Sequence, residues 1–134
     1  MALANSGKRL PSNAEWQAAV AGTPDSTACN VSTGGVQATG ASAGCVSAWG
    51  VKDMVGNLQE WVADWVPASI ACPGWSGFSD DRMCLSDAST TVNGPGALIR
   101  GGIFVDFRRA GPFAVDAVNM PLDSQITIGF RGAR

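Results

Sequence analysis

The sequence contains 134 residues, of which 46% are hydrophobic and 15% are charged, with a formal net charge of −2 and no histidine. This length predicts one domain, and this composition excludes a disordered chain. The nine basic residues are scattered, which excludes the basic surface that nucleic-acid binding requires. No apolar run approaches the roughly 20 residues of a membrane span, and residues 1–8 do not have the pattern of a secretory signal.

The first predicted element is a helix that follows Pro11. Ser12 as N-cap and Glu15 three residues later have the spacing of a capping box, and Gly22 is a signal for the C-terminal end. The side chains that would form the buried stripe of this helix lie three or four residues apart: Trp16, Ala19 and Val20.

Residues 23–50 are rich in Ser, Thr, Gly and Ala and predict a long loop. The four cysteines have neither the Cys-x-x-Cys nor the Cys/His spacing of a zinc site. We predict two local disulfides, Cys29–Cys45 and Cys72–Cys84, each closing a loop that is poor in apolar residues. The alternative is four buried free thiols. Disulfides would indicate an oxidising environment.

An alternating pattern in residues 58–65 predicts a half-buried strand that ends at Pro67. In this pattern Trp61, Ala63 and Trp65 alternate with Glu60, Val62 and Asp64. Irregular chain is expected up to Gly96, followed by extended segments at 97–100 and 126–131. One helix, a few short strands and long loops predict an α+β domain.

Three blocks of sequence resemble a known family when they are taken together and in this order. They are GKRLPSNAEW at 7–16, GVKDMVGNLQEWVADW at 50–65, and RGG at 100–102 together with IGFR at 128–131. The family is that of the formylglycine-generating-enzyme, or sulfatase-modifying factor, domain. The resemblance implies a C-type-lectin-like fold with a small antiparallel sheet and at least one helix. Full-length members have a further strand-rich segment before the first block, so residues 1–134 are expected to form a trimmed version of the domain.

The same family also has a structural calcium site, and the resemblance maps it onto the second block. The implied ligands are the side chains of Asp53 and Glu60 and the backbone carbonyls of Gly56 and Leu58. Oxygen ligands at short spacing suit a hard cation. Gln59 departs from the aromatic residue that the family usually has, which affects packing and not the ligand set. The alternative is that Asp53 caps a turn and that Glu60 pairs with a basic residue.

Family members that oxidise cysteine place two copper-binding cysteines within about a dozen residues of the segment that resembles residues 100–102. Here the best-aligned positions are Asp106 and Gly111, and neither supplies the thiolate that copper chemistry requires. The absence of histidine removes the commonest general base. Asp106, Asp116 and Asp123 are expected to be solvated loop charges. We therefore expect no catalytic residue, no copper and no enzyme activity, with a sulfatase-modifying enzyme or accessory as the alternative.

The C-terminal region resembles a narrower group within this family. AGPFA at 110–114, Ala117, Pro121 and IGFRGAR at 128–134 are similar to the variable region of proteins that diversity-generating retroelements of phages, bacteria and archaea rewrite. In that group, errors in copying an adenine-rich template change selected surface positions. The resemblance implies that residues 100–134 form a variable ligand-binding region, in which Gly101, Gly102 and Gly111 serve the backbone geometry.

The residues between these framing blocks follow no period of two or 3.6, and apolar side chains alternate irregularly with charges. Such a mixture on a loop indicates a contact surface. The alternative is that several of them fill the core, above all Phe104 and Phe113. The predicted ligand-binding residues are Ile103, Val105, Asp106, Phe107, Arg108, Val115, Asp116, Val118, Asn119, Met120, Leu122, Asp123, Gln125, Ile126 and Thr127.

The partner that this surface implies is a protein or a glycan on a cell surface, and the implied location is the surface of a virion or a cell. Nucleic-acid binding and membrane insertion are not expected. Aromatic and aliphatic anchors such as Phe107 and Met120 would supply most of the binding free energy. A structural part of a tail fibre or surface appendage, with no ligand of its own, is the alternative function.

Overall fold

A computed structural model describes residues 2–88 and 95–134. The described elements are two helices, five strands and one turn of 3₁₀ helix: α1 (Ala2–Asn5), α2 (Asn13–Ala19), β1 (Gln59–Pro67), β2 (Met83–Cys84), β3 (Pro95–Arg100), the 3₁₀ turn (Phe107–Arg109), β4 (Val115–Asp116) and β5 (Ile128–Phe130). No helix in the described ranges is long and apolar enough to cross a membrane.

Helix α2 begins with the predicted capping box. The Glu15 N–H donates to the Ser12 hydroxyl at 3.2 Å, and the Ser12 N–H donates to the Glu15 carboxylate at 2.8 Å. Trp16 and Val20 are buried as predicted, while Ala19 is half-buried. The helix ends at Ala19, with Val20 as C-cap, and so stops before Gly22. Gly22 has a φ of +79° and takes the turn that follows.

The five strands form one mixed sheet in the order β2-β4-β3-β1-β5. The β1–β3 and β3–β4 pairs are antiparallel, whereas β1–β5 and β2–β4 are parallel. The resemblance implied an antiparallel sheet, but the sheet is mixed. Strand β4 flanks the central β3–β1 pair on one side and β5 flanks it on the other. After β3 the chain leaves the sheet, returns to it at β4, and leaves it again before it reaches β5.

Strand β1 is confirmed and ends at Pro67, and its more buried face is the one that carries Glu60 and Val62. Glu60 and Val62 are buried, whereas Trp65 is 63% exposed. Val62 packs in the hydrophobic core, and hydrogen bonds from the Trp16 indole N–H at 2.7 Å and from the Arg131 Nε at 2.6 Å offset the cost of burying the Glu60 carboxylate on the same face.

The two predicted disulfides are confirmed. Cys29 is bonded to Cys45 and Cys72 to Cys84. In the chain-entropy model, closing loops of this length stabilises the folded state by about 3 kcal/mol each. The first bridge belongs to the hydrophobic core around Trp16 and Val55. Residues 23–50 form neither a helix nor a named strand, as predicted, and this bridge ties them to the core.

Candidate functional site

The C-terminal segment between β3 and β5 is attached to both disulfide-closed loops through its backbone. The Phe107 N–H donates to the Val31 carbonyl of the first loop at 2.9 Å. The Arg82 N–H of the second loop donates to the Arg109 carbonyl at 3.0 Å, and the Val115 N–H donates to the Arg82 carbonyl at 2.9 Å. These bonds fix the path of the segment at points far from its own ends.

Eight of the predicted ligand-binding side chains are exposed, and we call them the exposed set: Val105, Phe107, Arg108, Val118, Met120, Leu122, Gln125 and Ile126. Six of the twelve large hydrophobic side chains that are exposed in the described part of the chain belong to this set. Leu122 is 96% exposed and Ile126 is 89% exposed. Such a concentration of exposed apolar side chains in one segment is typical of an interaction surface.

Four further predicted residues are half-buried: Ile103, Asn119, Asp123 and Thr127. The Asp123 carboxylate accepts from the Met120 N–H at 2.9 Å and shapes the turn between them. The two phenylalanines that were the strongest core candidates, Phe104 and Phe113, are also half-buried. Phe113 packs against Phe78 with 5.0 Å between the ring centroids.

The expectation that Asp106 and Asp116 are solvated loop charges is wrong, because both are buried. Arg82 lies between them and contacts Asp106 at 3.0 Å and Asp116 at 3.3 Å. Asp106 also accepts from the Ile103 N–H at 3.0 Å. We call this group the Arg82 clamp. It holds two separate parts of the C-terminal segment with one guanidinium of the second loop.

Val115 is also placed differently from the prediction. It is 3% exposed, forms part of β4 and packs in the hydrophobic core. Its partner across the sheet is Arg100 of β3. Val115 is therefore a packing residue, and with Asp106 and Asp116 it belongs to the framework that supports the exposed set. The sequence contained no signal for this, because β4 is only two residues long.

Gly111 is required by the close approach of a buried carboxylate. A Cβ atom at this position would collide with the carboxylate of Asp81, a residue that sequence reasoning missed. Asp81 is fully buried and accepts from the Phe113 N–H at 2.7 Å. Burial raises the pKa of Asp81 to about 6, and the Phe113 hydrogen bond offsets only part of this effect.

Arg100 of β3 links the segment around Pro112 to α2. Its guanidinium donates to Asn13 at 2.8 Å and to the Pro112 carbonyl at 2.9 Å, and it lies 4.6 Å from the centre of the Trp16 ring. Burial lowers the pKa of Arg100 to about 10, so it stays protonated at neutral pH. The segment around Pro112 is thereby held in place by a cation that solvent does not reach.

The predicted calcium ligands Asp53 and Glu60 line a common cleft of about 190 Å³ together with Leu58. Glu60 is already paired: one oxygen accepts from Trp16 at 2.7 Å and from the Arg131 Nε at 2.6 Å, and the other is bound by the same guanidinium. Asp53 accepts from the Gly40 N–H at 2.5 Å. Gly56 has its N–H bonded to the Gly101 carbonyl. Arg131 thus engages both oxygens of Glu60, and an ion bound there would have to share or displace this pair, so the calcium site stays a prediction.

Comparison with known proteins agrees with this fold. Residues 28–134 match the model of the sulfatase-modifying factor enzyme 1-like domain family. No curated protein matches the chain by sequence.

The solved structures to which the chain is similar include three variants of the Major Tropism Determinant. The P3c, U1 and M1 variants superpose with TM-scores of 0.69, 0.70 and 0.71 at sequence identities of 26%, 26% and 25%. The alignments cover 97%, 98% and 97% of this chain, but only 34%, 35% and 34% of those proteins. The chain thus spans about a third of their length. The family match over 107 of its 134 residues shows that this chain belongs to the sulfatase-modifying factor enzyme 1-like domain family, with the C-type-lectin-like fold.

Proposed function

We propose that this chain is a non-enzymatic binding module whose contact surface is the exposed set. The observation that carries this proposal is that the segment between β3 and β5 combines exposed apolar side chains with a backbone held by the rest of the fold. Six large apolar side chains are exposed, while the backbone that bears them is held by the Arg82 clamp, by β4 and by both disulfide-closed loops. A rigid backbone lowers the entropy cost of binding, because little of the surface has to be ordered by the partner.

The solved relatives are named for the determination of tropism, which supports a receptor on a cell surface as the partner. A protein or a glycan would serve, and the location would be the surface of a virion or a cell. The two disulfides agree with such an oxidising setting. The carboxylates of Asp106 and Asp116 argue against catalysis, since both are buried and both are paired with Arg82. A general acid or base needs access to its substrate.

We further propose that a retroelement diversifies the exposed set and leaves the framework unchanged. The test is the DNA beside the gene. We expect a reverse transcriptase and a near-copy of the segment that encodes residues 100–134, differing mainly where the copy has adenine. The differing codons should fall on the exposed set more often than on the framework residues Asp106, Val115 and Asp116. A flanking sequence with no such repeat contradicts diversification.

Binding itself is tested with a matched pair of multiple variants. The first replaces Val105, Met120, Leu122 and Ile126 with serine, and the control replaces Trp65 and Ile70 with serine. The control positions are each 63% exposed and lie outside the segment. Labelled protein is applied to a panel of cells and to a glycan array. We expect the first variant to keep its melting temperature and lose binding, and the control to keep both; equal binding by the two variants contradicts the proposed surface.

A further inference from the structure

A cleft of about 410 Å³ lies where the exposed set meets the first disulfide-closed loop. This volume is within the range of roughly 300–1,000 Å³ that is typical of ligand pockets. Phe107 and Arg108 form one wall. The other walls come from residues outside the predicted variable region: Asp25, Ser26, Thr27, Val31, Ser32 and Asp80. Six of the eight residues that line the cleft therefore lie outside the predicted variable region.

The position of Phe107 is enforced by this constant wall. Its backbone has a φ of +52°, a left-handed conformation that costs a bulky residue on the order of 1–3 kcal/mol. The hydrogen bond from its N–H to the Val31 carbonyl, 2.9 Å long, holds that conformation. The Phe107 ring is 60% exposed at the edge of the cleft. The backbone that carries this ring is thus held beside the first disulfide-closed loop.

The charges that line the cleft do not balance. Asp25 and Asp80 supply two carboxylates, and Arg108 supplies one guanidinium. Arg108 contacts Asp80 at 3.7 Å, but its side chain is 84% exposed, so this pair is weak. Asp25 forms no salt bridge within the described ranges. Desolvation, followed by the charge of Asp80, raises the pKa of Asp25. The cleft therefore has a net negative charge, and the Asp25 carboxylate is exposed to an incoming group.

We infer that this cleft receives a lysine or arginine side chain of a protein receptor, with its charge on Asp25 and its aliphatic stem against Phe107. The inference rests on the proposed binding function and deepens it by naming the chemistry of the partner. A carboxylate satisfies the cationic group, and the aliphatic stem of lysine or arginine packs along apolar surface. Because Asp25 lies outside the segment proposed to be diversified, the preference for a cation would persist when the exposed set changes, whereas the contact with the stem would change with Phe107.

The test uses an acetylated Gly-Lys-Gly amide and its norleucine analogue, which has nearly the same stem and no charge. Each peptide is titrated into ¹⁵N-labelled protein, and amide chemical shifts are followed by NMR. We expect the lysine peptide to shift the amides of residues 25–32 and 107, and the norleucine peptide to bind at least threefold more weakly. Raising the salt from 0.05 to 0.5 M should weaken the lysine peptide alone.

Two matched variants separate the cleft from the overall charge of the protein. Asp25→Asn should weaken the lysine peptide about three- to tenfold, whereas Asp87→Asn, which removes an exposed carboxylate elsewhere, should leave it unchanged. Equal binding of both peptides, or equal effects of both variants, overturns the inference. Cell binding that depends on the exposed set but survives Asp25→Asn also overturns it, while the proposed binding function would stand. If the serine variant of the exposed set still binds cells as well as its control does, the proposed binding function itself is contradicted.

Discussion

Replacing Arg82 with methionine would remove the cation of the Arg82 clamp and keep most of its aliphatic stem. The carboxylates of Asp106 and Asp116, now 3.0 and 3.3 Å from the guanidinium, would stay buried without it. Asp106 would retain the Ile103 N–H, and Asp116 would retain the Val118 N–H at 2.9 Å. Two negative charges would then face each other across the space that Arg82 occupied.

The expected cost is large compared with the stability of a domain of this size. Each hydrogen bond to a charged group contributes about 1.5–3 kcal/mol, and breaking a buried pair typically costs about 3–5 kcal/mol. Because backbone donors still hold both carboxylates, we expect a loss of about 3–4 kcal/mol. The total free energy of unfolding is generally about 5–15 kcal/mol, so this single change should remove a substantial part of it.

Urea unfolding at pH 7, followed by tryptophan fluorescence, measures this loss. Arg108→Met is the matched control, because Arg108 pairs with Asp80 at 3.7 Å between side chains that are 84% and 55% exposed. An exposed pair of this kind contributes about 0–1 kcal/mol. If Arg82→Met unfolds within 1 kcal/mol of the unsubstituted protein, the clamp does not support the segment, and Asp106 and Asp116 return to the set of possible contact residues.

The remaining predictions concern buried groups elsewhere in the framework. Because the folded pKa of Asp81 is about 6 and its ordinary value is 3.8, its contribution to stability is lost as the pH rises through 6. The free energy of unfolding should therefore increase by about 1 kcal/mol from pH 7 to pH 5, and Asp81→Asn should abolish this increase in urea titrations. Gly111→Ala should destabilise the fold by more than 2 kcal/mol, since its Cβ meets the Asp81 carboxylate; a smaller loss in thermal unfolding would contradict the close packing. Chelation should leave the melting temperature unchanged if Arg131 holds Glu60, whereas a drop of several degrees on adding EDTA would establish the calcium site.

The Arg82 clamp also explains how a segment can vary without loss of the fold. Asp106 and Asp116 are bound by a residue 24 and 34 positions earlier in the chain. Val115 packs in the core, and Gly111 leaves room for Asp81. None of these contacts involves an exposed side chain of the segment, so substitutions in the exposed set leave them intact.

Local patterns were sufficient for the elements whose stabilising contacts lie close in sequence. The capping box of α2 joins Ser12 and Glu15, three residues apart, so its geometry follows from their spacing. The disulfides close loops of 16 and 12 residues between neighbouring cysteines. The end of β1 at Pro67 follows from a residue that cannot donate a ladder hydrogen bond. The family and its fold followed from the joint occurrence of the three blocks.

Only the tertiary structure decided which polar residues are buried and which apolar residues are exposed. Asp106 was read as a solvated charge because its partner, Arg82, is distant in sequence. The alternation in β1 does not say which face meets the core, and only the tertiary structure places Glu60 and Val62 inside and Trp65 outside. The sequence by itself determined the family, the helix and the segment that carries the exposed set, whereas the disulfide pairing was a prediction with free thiols as its alternative. The three-dimensional arrangement divided that segment into framework and surface, because burial depends on long-range partners that no local periodicity encodes.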